Sequence, residues 1–224
     1  IFKKLVNQLK SKHIILEKVL FKNSNEFKKC TKFIENYPEK IWVNLPRREH
    51  EIIQYINSRL DKKKKIFIEF SGYQWGMASN MIHFLDLFKW MTKAKKINFQ
   101  KKLENKIYKA KRKGFYEVRG KILFKDQSNN ELKIIDNKNF TKNKLEIRNK
   151  KNVFIINDNI LHKKLKNKKI VKIFSNNFQS NLTSKIYYSL VENNFCKLPE
   201  FKNSIDIHKI FYSILDKKMK KKLF

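Results

Sequence analysis

The chain is 224 residues long and carries 53 Lys and Arg against 20 Asp and Glu, a formal charge of +33. That length allows one or two domains with a substantial core. No apolar run approaches the ~18 residues of a membrane span and no signal peptide is visible, so a soluble, cytoplasmic protein is expected, neither inserted into a membrane nor exported.

In chain order, residues 2–11 read as the end of an amphipathic helix. HIILEK at 13–18 is a short buried strand, with Glu17 and Lys18 at its carboxyl end. Asn23-Ser24 offers an N-cap to a helix running to about Asn36, and Tyr37-Pro38 ends it. KIWVNL at 40–45 is a second buried strand, also ending in charge, at Arg47 and Arg48. Another helix spans about 49–60. Helix and strand alternate as in a parallel α/β sheet, where ligands lie outside the carboxyl ends of the strands.

From about residue 62 the rhythm changes. KIFIEF at 65–70 is a strand, and the helix after it is the most informative stretch of the chain. Met81, Ile82, Leu85 and Phe88 recur at helical steps. Ser79, His83, Asp86 and Trp90 share one face, with Asn80 beside them. Burying an imidazole and a carboxylate unpaired is costly. Two readings follow. His83 is a core histidine satisfied by Asp86 or a backbone carbonyl, or it is a catalytic base at the floor of a pocket with Trp75 as a wall. Strand candidates come next, at 94–100, 104–109, 115–125, 131–136, 143–148, 152–157 and 169–175. DQSNN at 126–130 is a hairpin turn. Helices at about 180–193 and 203–221 close the chain, the second capped by Asn203 or Ser204. The fold class expected is α/β followed by α+β, the second part an open, mostly antiparallel sheet with one face covered by helices.

The charge points first to nucleic acid, by counterion release from phosphates. Yet only six of the cations are arginine, and the lysines are scattered, with runs only at 62–65 and 217–222. Lys, Asn, Ile and Phe share A/T-rich codons, so base composition accounts for the bias without a ligand. Cys30 and Cys196 have no metal-like spacing, which leaves reduced thiols and no metal.

Five segments, in order, resemble the Gfo/Idh/MocA oxidoreductases, the glucose–fructose oxidoreductase and inositol dehydrogenase family. ILEKVL at 15–20 resembles its Glu-Lys-Pro strand end, and WVNLPRR at 42–48 its next strand. WGMASNMIHFLDLFKWMT at 75–92 resembles the helix bearing the active-site histidine. KAKRKGFYEVRGKILF at 109–124 resembles the Lys-Arg-x-Gly-Tyr-x-Glu strand of a polysaccharide-associated branch. SNLTSKIYYSLVENNFCKLPEFKNSIDIHKIF at 180–211 resembles the closing helices.

The resemblance implies that residues 1–61 complete a Rossmann-type dinucleotide-binding domain and that 62–224 form a substrate-binding and dimerisation domain. It implies NAD or NADP as cofactor, a sugar or nucleotide-sugar as substrate, and a homo-oligomer formed through the open sheet. Lys18 and His83 would be catalytic, His83 as the base and Lys18 as a charge beside the alkoxide. Glu17, Lys18 and Arg47 would contact the cofactor. Arg48, Trp75, Asn80, Lys111 and Arg112 would face substrate. Three features depart from the pattern. Val19 stands where the family has a proline, often cis, and Ser79 stands where many members have Asp. A Gly-x-Gly-x-x-Gly loop is absent from the chain, which has four glycines in all, so the first βα units of the Rossmann domain are expected upstream or lost. The rival readings are a basic RNA-binding or ribosomal protein without catalysis, and a truncated fragment that only dimerises.

Overall fold

A computed structural model describes residues 13–21, 24–35, 40–111, 113–150, 152–157, 160–165, 168–174 and 179–215. The expected helix at 2–11 and residues 216–221 of the closing helix lie outside them. Strands β1 (His13–Leu16) and β2 (Lys40–Val43) pair in parallel, Ile14 opposite Ile41. Helix α1 (Ser24–Glu35) connects them, and its Phe27 and Ile34 are buried. Pro46 opens a 3-10 turn, Pro46–Glu49, that leads into α2 (Glu51–Arg59). Proline suits a first helical position because the N–H it lacks has no partner there.

Eight strands form the large sheet, in the order β12-β11-β10-β9-β3-β8-β7-β4. They are β3 (Phe67–Gly72), β4 (Ile97–Leu103), β7 (Gly120–Asp126), β8 (Glu131–Asp136), β9 (Lys144–Arg148), β10 (Val153–Asn157), β11 (Ile160–Leu165) and β12 (Lys168–Ile173). Only β3 with β8 is parallel; every other neighbouring pair is antiparallel. Tyr108–Lys109 (β5) and Tyr116–Glu117 (β6) form a separate two-stranded ribbon. The expected class, a small parallel sheet and then a larger, mostly antiparallel one, is what the chain adopts.

Alternation sorts the two faces of the sheet, as the period of two requires. Ile68, Phe70, Ile122, Phe124, Leu132, Ile134, Leu145, Ile147 and Phe154 point to one face and are buried. They share a core with Met81, Ile82, Phe84, Leu85 and Phe88 of α3 (Met77–Thr92). The other face carries charge: Lys133 meets Glu69 at 2.7 Å, and Lys125 meets Glu131 at 2.9 Å. The turn between β7 and β8 falls on DQSNN as expected. Asp126 accepts from the N–H groups of Ser128 and Asn130.

Helices α4 (Gln179–Asn193) and α5 (Phe201–Ile214) complete the chain. The Trp42 side chain packs with Ile186, Leu190, Cys196 and Leu198, which docks α4 on the small sheet. Val43 N–H donates to Pro199 O at 2.9 Å, so the segment before α5 closes the outer edge of β2.

The structure departs from expectation at several boundaries. Helix α5 starts at Phe201 with Glu200 in the capping position; Ser204 is fully buried and donates to Phe201 O, so neither it nor Asn203 is the cap. The span 115–125 is broken between β6 and β7, where Gly120 sits at φ 132 and a Cβ would strike the Lys102 backbone. Of 104–109 only Tyr108–Lys109 is strand. Strand β11 has no counterpart in the expectation, because its two lysines disguise a half-buried strand.

His208 on α5 is buried and stacks on Phe27 of α1, with ring centroids 5.9 Å apart. Nδ1–H donates to Ser204 O at 2.9 Å, while Nε2 has no partner among the described residues. Burial takes its pKa down to about 4. Between that value and the ordinary ~6.5 the unfolded chain binds a proton that the fold refuses, so stability rises with pH across this window. Acidification from pH 6.5 to 4 is expected to cost roughly 3 kcal/mol through this residue. Urea unfolding across pH checks it: His208→Leu should flatten that part of the stability curve.

Candidate active site

The carboxyl end of β1, the start of α3, the β5–β6 ribbon and the end of α5 line a cavity of about 740 Å³. Lys18, Trp75, Ser79, Asn80 and Lys111 are among its lining residues, with Tyr108, Phe115, Glu117, Arg119 and Asp136. Basic, acidic, amide and aromatic groups thus alternate around one space.

Lys18 follows β1 directly. Its Nζ donates to the Ser79 carbonyl at 2.9 Å, in the first turn of α3. The Lys18–Val19 peptide is cis, and Val19 lines the cavity. Burial lowers the Lys18 pKa; Glu17 and Glu117 oppose that, and Arg47 adds to it. The Tyr212 hydroxyl of α5 lies on the Leu20 and Phe21 carbonyls, which fixes the segment just beyond Lys18.

His83 lies one turn along α3 from Ser79. It is half-buried and does not line the cavity, and its Nδ1 has no hydrogen-bond partner among the described residues. Burial lowers its pKa well below the ordinary value, and the nearby charges of Arg47, Lys18 and His50 lower it further. His83 is therefore a neutral imidazole at neutral pH. Lys18, Arg47, His50 and His83 form one electrostatic cluster.

Arg47 stands over the Phe84 ring at 4.2 Å, and burial brings its pKa down to about 10. It stays charged near neutrality, and its Nε has no hydrogen-bond partner among the described residues. Arg48 points elsewhere. Its Nε donates to Asp86 Oδ2 at 2.8 Å and a terminal nitrogen to Oδ1 at 2.5 Å, in a buried two-pronged pair. Asp86 is thus the partner of Arg48 and not of His83, and Arg48 is not among the cavity-lining residues. Glu17 is exposed and accepts from Asn44 Nδ2 at 2.8 Å.

Trp75 walls the cavity with its indole N–H tied to Ile135 O at 2.9 Å and its ring set edge-on to Phe70 and Phe84. Asn80 directs its amide nitrogen to the Trp75 and Gly76 carbonyls, which leaves its oxygen for a ligand. Lys111 is an exposed residue on the rim. Arg112 lies outside the described residues.

Several lining residues escaped the sequence reading. Asp136, at the end of β8, accepts from Gln74 N–H at 2.9 Å and fixes the loop that carries Trp75. Arg119 packs on Tyr108 and Tyr73, 3.7 and 4.7 Å from the ring centroids. Glu117 accepts from Ala78 N–H at 2.7 Å and from Ser79 Oγ at 2.6 Å. The one signal for Glu117 and Arg119 was their place in the 109–124 segment; Asp136 carried none.

No family model matches the chain, and no curated protein does. Solved structures do. A dehydrogenase (MviM) from Clostridium difficile superposes with a TM-score of 0.64 at 14% identity, over 90% of this chain and 70% of that one. A Gfo/Idh/MocA family oxidoreductase from Vibrio cholerae gives 0.63 at 10%, over 89% and 68%. The fold is Gfo/Idh/MocA-like. The transcriptional regulator Gal80p from Kluyveromyces lactis shares it, at 0.67 and 15%, over 94% of this chain and 67% of that one. A Gfo/Idh/MocA-like fold therefore houses oxidoreductases and a regulator alike, and chemistry must be argued from the site.

Removing one partner of a buried ion pair strands the other charge. Asp86→Ala is expected to destabilise the protein by about 3–5 kcal/mol in urea unfolding. The double change Arg48→Met with Asp86→Leu should recover most of that loss.

Proposed function

We propose that this chain forms the substrate side, and the second part of the dinucleotide-binding side, of an NAD(P)-linked oxidoreductase acting on a carbinol carbon of a sugar or nucleotide-sugar. Residues 1–61 belong to the cofactor domain in this reading and 62–224 to the substrate domain. One observation carries it: the Lys18 ammonium lines, beyond a strand end, a cavity that holds donors, acceptors and aromatic faces, and is electrostatically coupled to a neutral His83 just outside that lining. Such a mixture suits a polyhydroxylated ligand, whose ring packs on Trp75 while Asn80, Glu117 and Asp136 meet hydroxyls. Lys111 on the rim favours an anionic substituent.

In the oxidative direction a substrate hydroxyl that reaches past the Ser79 edge of the cavity, between Lys18 and His83, gives its proton to His83, and Lys18 stabilises the charge that develops on the oxygen. Burial first, and then the charge of Arg47, keep the imidazole unprotonated until it acts. The nicotinamide, when bound, supplies the hydride acceptor or donor. Glu17, Lys18 and Arg47 are of the type and position to meet that end of the cofactor. The glycine-rich grip on the pyrophosphate has no counterpart here: the four glycines are Gly72, Gly76, Gly114 and Gly120, all beyond the parallel strands. The open face of the large sheet is the surface for a second copy, with Val171 and Ile173 exposed at its end.

A non-catalytic, regulatory reading is favoured by the fold shared with the transcriptional regulator Gal80p. Two measurements separate the readings. In a protein supplied with a complete cofactor domain, His83→Ala should lower turnover with nucleotide-sugars by roughly two to four decades, and Lys18→Ala should lower it as well. Wild-type-like turnover in both variants would sink the roles of His83 and Lys18, and no turnover in the wild-type protein would sink the catalytic reading. Calorimetry on the 224-residue chain alone should show weak or no NAD(P) binding; tight binding would overturn the account of where the pyrophosphate is held.

A further inference from the structure

The helix that carries His83 begins without a cap of its own. Gly76 precedes it at φ 77, and no side chain of the flanking segment bonds the first turn. The carboxylate that does so comes from another part of the chain. Glu117, on β6, accepts from Ala78 N–H at 2.7 Å, from Ser79 N–H at 3.3 Å and from Ser79 Oγ at 2.6 Å. The carbonyl of the same Ser79 accepts from Lys18 Nζ at 2.9 Å. Ser79 is therefore held by Glu117 through its amide and hydroxyl and by Lys18 through its carbonyl. Gly76 makes room for this: a Cβ there would stand 2.9 Å from Ser79 Oγ and 3.2 Å from Glu117 Oε1.

We propose that Glu117 is a positioning residue for Lys18, supplying across Ser79 the carboxylate that α3 itself lacks and keeping the ammonium charged and aimed at the cavity. Burial of Lys18 and the neighbouring Arg47 both favour the free amine, and the two groups that oppose them are Glu17 and Glu117. Glu17 is exposed and bonded to Asn44, whereas Glu117 faces the cavity. The other titratable groups in this surround are His83, which Lys18 influences, and Asp136, which acts on Glu117. A carboxylate engaged only as a helix cap would favour the helix dipole and stop there. Glu117 also lines the space that Lys18 enters.

This inference deepens the site of the proposed oxidoreductase, but its test needs neither cofactor nor substrate. Failure here leaves the proposed activity standing, and loss of that activity leaves this result standing. The 224-residue chain is pulsed with acetic anhydride at a series of pH values, and acetylation of each lysine is read by mass spectrometry. The midpoint of a lysine's profile reports its ionisation; its plateau reports accessibility. In Glu117→Gln, which keeps an acceptor but removes the charge, the Lys18 midpoint should fall, with severalfold more labelling at pH values below the wild-type midpoint. The distant Lys133 should not change. An unshifted Lys18 midpoint in a folded Glu117→Gln protein would overturn the proposal. If that variant does not fold, Glu117→Asp carries the test. Its charge is retained, so Lys18 should titrate as in the wild type, and a fall in its midpoint would reject the charge argument.

Discussion

The pair between Arg48 and Asp86 fixes how the two sheets meet. Helix α3 is packed on nearly every side, with Met81, Ile82, Phe84, Leu85, Leu87 and Phe88 all sealed from water. A carboxylate in such surroundings is tolerated only with a partner that satisfies both oxygens. Arg48 does so from the turn after β2, so the small parallel sheet and the helix on the large sheet hold a fixed relation. The preceding residue, Arg47, is carried with it and lands on Phe84, beside His83. An ion pair with no chemical duty thereby places a charge that adds to the effect of burial in holding the imidazole neutral.

Much of the architecture was legible because it rests on local patterns. The apolar runs of β1 and β2, the alternation in β7 to β10 and the helical spacing of α3 each reflect burial along one face. The turn at DQSNN was legible because Asp126 folds back on the backbone just after it. Partner choice is different in kind. Asp86 lies three residues from His83, so sequence spacing offered those two as a pair. The actual partner is 38 residues away, and no local rule selects it. Glu117 escaped notice for the same reason: its donors lie on a helix, 39 and 38 residues earlier. β11 was not among the expected strands: His162, Lys163 and Lys164 interrupt its apolar pattern, although Leu161 is buried on the core face.

The site residues fall into two groups that do different work. Trp75, Asn80 and Asp136 shape the cavity, and most of their polar atoms are already occupied by the protein. Lys18, Arg47 and His83 carry the electrostatics, and His83 Nδ1 and Arg47 Nε lack protein partners among the described residues. A rigid frame around groups with unused capacity is the arrangement expected of preorganised chemistry.

The cavity lining runs from Lys18 to Leu215, nearly the full described length of the chain. Closing it requires the β1 end to meet α5, almost two hundred residues later, through the Tyr212 hydroxyl on Leu20 and Phe21. Closing a loop that long is entropically opposed until a packed core compensates. The cavity is thus complete only once α5 has docked. No excised peptide reproduces it, and a ribosome still holding α5 in its exit tunnel displays a protein with its core begun and its cavity not yet made.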